Sequence, residues 1–100
     1  MYNGFRTYEL AVKLYQECKK AQLPSFLKDQ LLRASSSICL NLAEGSAKPT
    51  RKDRTKFYFI SLASCREVQS IVDLEQDKLC FLATQADILG AHLYKLCKNT

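Results

Sequence analysis

Residues 79–98, LCFLATQADILGAHLYKLCK, place Leu79, Leu82, Ala86, Leu89, Leu93 and Leu96 at alternating steps of three and four. Those steps return each side chain to one face of an α-helix, whereas a strand repeats every two residues. Gly90 interrupts the face at a cost of about 1 kcal/mol relative to alanine. Burying each leucine returns roughly 1.5–3 kcal/mol, so the helix survives it. The stretch predicts an amphipathic helix over about 78–98, whose apolar face needs partners.

Those partners lie upstream. The pattern pauses at Glu75-Gln76-Asp77, and before it a helix is expected over 50–74, with Thr50 as N-cap and Asp53 three residues on. Its inner face is read as Phe57, Ile60, Ser64, Val68 and Ile71, with Tyr58, Leu62 and Cys65 near the opposite side. A helix apolar nearly all round calls for a second cover, so Tyr58 and Leu62 are the expected contacts of a homo-oligomer. The linker Ser46-Ala47-Lys48-Pro49 precedes it. A helix over 26–44 is expected before that, with Ser25 as cap, Leu27, Leu31, Ala34, Ile38 and Leu42 inside, and Gly45 as its stop. Phe5, Tyr8, Ala11, Val12, Tyr15 and Cys18 predict a first helix over 5–21, ended by Leu23-Pro24. Four such segments with short links give an all-α, antiparallel up-down-up-down four-helix bundle, with 1–100 as a single domain.

Composition removes several classes of function. Of the 100 residues, 47% are hydrophobic and 25% charged, and no run approaches the roughly twenty apolar residues that span a bilayer, so no membrane role is expected. Arg6, Glu9 and Lys13 break up the N-terminal stretch, which does not read as a signal peptide. The five cysteines, Cys18, Cys39, Cys65, Cys80 and Cys97, are spaced 21, 26, 15 and 17 apart, unlike any zinc or redox motif. Free thiols in a reducing, cytoplasmic setting are expected. His92 stands alone as a possible metal ligand, and no E-x-x-H, glycine-rich phosphate loop or G-x-S-x-G elbow occurs. No catalytic site, metal or cofactor is expected.

What remains is charge. Lys48, Arg51, Lys52, Arg54 and Lys56 against Asp53 give +4 in nine residues, while the rest of the chain carries only +1. Cations at a helix start oppose the dipole, so an anion there would be attracted by charge and exposed amides together. Nucleic-acid phosphate is the expected ligand, with Arg66 continuing the outer side and Tyr58 and Phe59 offering aromatic contact. Four phosphate contacts would give a slope of log affinity against log salt of about −3 on single strands. A polar stripe on the second helix, Gln30, Arg33, Ser37, Asn41 and Glu44, is the expected interaction face of the alternative, a protein-interaction scaffold in which basic charge aids encounter only.

At that stripe the chain reads Gln30-Leu31-Leu32-Arg33-Ala34, Ser37-Ile38 and Asn41-Leu42-Ala43-Glu44-Gly45. The run closely resembles the four-helix bundle proteins encoded in intervening sequences of bacterial 23S ribosomal RNA genes. The likeness continues through Thr50, Phe57 to Phe59, Leu62-Ala63-Ser64 and Glu67, and more weakly to Phe5, Tyr8 and Ala11. Ala63 stands where a glycine is typical, and Cys39-Leu40 where a proline is often found. The resemblance implies a bundle that assembles into a ring, expected to be a pentamer, with no known catalytic activity. The chain is also similar, more distantly, to accessory proteins of diversity-generating retroelements, whose basic pentameric barrels contact a reverse transcriptase and nucleic acid.

Overall fold

The computed structural model describes residues 3–99. They form α1 (Asn3–Cys18), α2 (Ser25–Ser46), α3 (Arg51–Leu74) and α4 (Gln76–Asn99). Each helix packs on its neighbours in the chain and α4 closes back on α1, while across the diagonals α1/α3 and α2/α4 no Cα atoms of the described residues come within 8 Å. The result is a square up-down-up-down bundle of 41 × 21 × 19 Å.

The α4 heptad works as its spacing requires: Leu79, Leu82, Ala86, Leu89, Leu93 and Leu96 are all buried, joined by Gly90 and Cys97. On α2, Leu31, Ala34, Ile38 and Leu42 are buried and Leu27 packs at the edge of the core. On α1 the buried residues are Thr7, Ala11, Leu14 and Cys18, with Ala21 just beyond the helix. Phe5 and Tyr8 are exposed and Val12 and Tyr15 half-buried, so the aromatic side chains lie along the flank and smaller side chains fill much of the contact.

The inner face expected for α3 holds at Val68 and Ile71 but is rotated over the first half of the helix. Tyr58, Ser61, Cys65, Val68, Ile71 and Val72 point inward, Phe57 and Ser64 are half-buried, and Ile60 is exposed. Small groups decide this rotation. Ser61 Oγ donates to Ile38 O at 3.0 Å, which satisfies a buried hydroxyl and lets α3 lie close to α2. Tyr58 therefore is no outer contact for a second copy; its own chain buries it, and Leu62 is half-buried against the same core.

Helix ends also differ from expectation. Thr50 caps α3 as expected, its Oγ1 accepting from Asp53 N at 3.2 Å. Ser25 does not cap α2: it is the first helical residue after Pro24, and no side chain caps there. Gly45 does not stop α2, which runs on to Ser46. Among the described residues no glycine has positive φ, and Gly45 serves close packing instead. The α1 end comes early, at Cys18, where Lys28 of α2 donates from Nζ to Lys19 O and Ala21 O. Those bonds satisfy carbonyls that the helix leaves open. Glu75 alone separates α3 from α4, shorter than the three-residue pause in the pattern suggests.

Candidate nucleic-acid interface

The turn between α2 and α3 is built from the basic segment itself. Arg54 Nη1 donates to Lys48 O and Pro49 O, each at 3.2 Å, so this guanidinium holds the turn together. Lys48 Nζ pairs with Glu44 at 3.0 Å and lies 5.3 Å from the centre of the Phe57 ring; Lys56 Nζ lies 5.7 Å from the same ring. Arg54 and Lys48 are thus bonded into local structure, and Lys56 rests beside the Phe57 ring. Arg51, Lys52 and Lys56 are exposed and make no ion pair among the described residues.

Antiparallel topology adds to them. The end of the bundle that holds the α2–α3 turn also holds the start of α1 and the end of α4. With each helix halved at its middle, residues 3–10, 36–62 and 88–99 carry eight basic side chains against three acidic, whereas 11–35 and 63–87 carry seven of each. All of the net +5 therefore resides in one half of the molecule. Arg6, Lys95 and Lys98 belong to that half and are exposed. Linear spacing could not group them with residues 48–56; the up-down topology, already legible, was the signal that could have.

Arg66 does not join the segment at the turn. It sits in the opposite half of α3, donating from Nη1 to Gln69 Oε1 at 2.8 Å, while Gln69 Nε2 donates to Asp87 Oδ1 of α4 at 3.0 Å. Arg66, Gln69 and Asp87 line a shallow groove over the α3–α4 seam with Ala91 and Tyr94.

The polar stripe of α2 divides. Gln30, Arg33 and Glu44 are exposed, but Ser37 and Asn41 are half-buried in the α2–α3 seam. Ser37 Oγ and Ser64 Oγ are hydrogen-bonded at 2.8 Å, and Asn41 Nδ2 donates to Ser37 O at 2.9 Å and to Ser37 Oγ at 3.1 Å. The middle of the stripe thus joins the two helices.

Four of the thiols are held protonated by burial. Burial pushes Cys18 and Cys65 up to about 11 and raises Cys39 and Cys97. Cys80 is exposed. His92 is half-buried and lines a notch between α1 and α4 with Thr7, Lys95 and Leu96. Among the described residues no group of three or more His, Cys, Asp or Glu side chains is placed to hold a metal, and no helix is long and apolar enough to cross a membrane.

The fold has a solved counterpart. A crystal structure of a protein of unknown function from the S23 ribosomal protein family of Bacteroides thetaiotaomicron superposes with a TM-score of 0.76 over 97% of this chain and 99% of that one, at 19% identity. Among curated proteins none matches. Residues 5–99 match the family described as 23S rRNA-intervening sequence protein, from the exposed Phe5 of α1 to the end of α4. With nearly the whole bundle matched, the chain belongs to the 23S rRNA-intervening sequence protein family.

Proposed function

We propose that this protein is a non-enzymatic nucleic-acid-binding module that works as a homo-oligomer in a reducing, cytoplasmic setting and holds RNA phosphates on Arg51, Lys52 and Lys56. The observation that carries this reading is the concentration of the whole net charge in one half of the bundle, at the end where those three side chains are exposed. Phosphate contacts of this kind bind with little base specificity. Repetition of the basic end around a ring of five copies would let weak sites act together by avidity.

The test is binding of a labelled RNA across a salt series. Each phosphate contact contributes about −0.7 to the slope of log affinity against log salt on single strands, so Arg51→Ala with Lys52→Ala makes the slope shallower by about 1.4. No binding at low salt, or an unchanged slope in the double variant, overturns the reading. Light scattering that finds a monomer at micromolar concentration overturns the oligomeric part.

A further inference from the structure

Five exposed positions on α3, Lys52, Lys56, Phe59, Ala63 and Arg66, follow one another at steps of four, three, four and three. They form one stripe along the outside of the helix, and it contains no acidic residue. On α4, Asp87, Ala91, Tyr94 and Lys98 form a second exposed stripe at steps of four, three and four. The two stripes meet at Arg66, which lines one groove with Asp87, Ala91 and Tyr94 and whose Nη1 a β-carbon on Gly90 of α4 would meet at 3.0 Å; the rest of the α3 stripe faces outward beside it.

We propose that this α3–α4 face is a track for single-stranded RNA, with Lys52, Lys56, Arg66 and Lys98 on phosphates and the rings of Phe59 and Tyr94 as stacking platforms. The proposal rests on the nucleic-acid reading above and extends it from the turn to a face built by two helices. Cations interleaved with exposed rings suit an unpaired strand, whose bases are free to stack; a duplex hides its base faces and would use the charges alone. Phe59 is 54% and Tyr94 53% exposed, so each ring offers a large part of its surface to a ligand. Lys98 Nζ lies 6.0 Å from the Tyr94 ring centre, placing a cation beside one platform. Between Lys52 and Arg66 the stripe runs about 21 Å, room for about six phosphates at stacked spacing. The one carboxylate within the two stripes, Asp87, is held by Gln69, while exposed Asp53 and Glu67 flank the α3 stripe.

The experiment is fluorescence anisotropy of the intact protein with a labelled single-stranded RNA of about 12 nucleotides and with a duplex of the same length. Phe59→Ala with Tyr94→Ala is expected to weaken single-strand binding about tenfold or more, to leave the salt slope unchanged and to leave duplex binding unchanged. Phe59→Tyr with Tyr94→Phe, which keeps both rings, retains wild-type affinity. Arg66→Ala and Lys98→Ala each reduce the slope by about 0.7. If removing both rings leaves single-strand affinity unchanged while Arg51→Ala with Lys52→Ala still lowers it, the track is overturned and the charge reading stands. If neither pair matters, both fall. Conversion of an oligomer to a smaller species by the ring-deleting pair assigns the face to contact between copies and also overturns the track.

Discussion

Gly45 of α2 meets the Tyr58 ring of α3 at a distance that leaves no room for a side chain on residue 45. A β-carbon there would come within 2.9 Å of Tyr58 Cε1 and 3.0 Å of Phe57 Cβ. The contact brings the end of α2 onto the start of α3, and the Tyr58 hydroxyl lies 3.3 Å from Ser46 Oγ in the same place. It therefore supports the turn that displays Arg51 and Lys52.

Gly45→Ala and Gly90→Ala should move stability in opposite directions, although both glycines are helical. At residue 45 the obstruction includes Phe57 Cβ, which is fixed to the backbone and cannot swing aside, so overpacking of about 1–3 kcal/mol outweighs the helical gain. At residue 90 the nearest atoms are Arg66 Nη1 at 3.0 Å and Gln69 Nε2 at 3.2 Å, both at the ends of flexible side chains. That substitution should stabilise by up to about 1 kcal/mol. Thermal unfolding of the two variants, read side by side, checks the signs.

Thr50→Ala should cost about 1 kcal/mol, because Asp53 N–H loses the Thr50 oxygen that satisfies it. Thr50→Asp restores an acceptor and should recover most of the loss. Hydrogen exchange is expected to rise first at the opening amides of α3, where the cap acts.

The Ser37–Ser64 hydrogen bond ties α2 to α3 through half-buried hydroxyls. Alanine at both positions, compared with each alone in a double-mutant cycle, should give a coupling of about 0.5–1.5 kcal/mol. Additive effects would show that the two hydroxyls do not act as a pair.

Cys18 and Cys65 make stability depend on alkaline pH. Their folded values, raised to about 11 by burial, lie above the value of a free thiol near 9. The unfolded chain then gives up protons first, so the full stability is present below about pH 9 and falls between 9 and 11, by roughly 2–3 kcal/mol per thiol. Denaturant titrations at pH 8 and about pH 10.5 should differ more in the wild type than in Cys18→Ala with Cys65→Ala. Thiol alkylation of the native protein should reach exposed Cys80 well before either buried residue.

Periodicity was enough for the bundle because its signal is local and redundant: six α4 positions and five on α2 each repeat one face, and short links force antiparallel neighbours. The Thr50 cap was legible for the same reason, as donor and acceptor lie three residues apart. Rotation of α3 was not, since its apolar side chains are spread over more than one face of the helix. The choice fell to Ser61, small and able to reach Ile38 O, over the more apolar Ile60, and to Tyr58, for which Gly45 leaves space. Those are contacts between residues 13 to 23 apart, which no helical period encodes. Charge divides likewise: the excess at residues 48–56 stands in the sequence, but Tyr94, with Lys98 over its ring, shares a groove with Arg66 only when α4 folds back along α3. Sequence determined the helices and the sign of the charge; tertiary packing decided which faces are inside, because burial depends on the shape of the neighbour as well as on the side chain's own hydropathy.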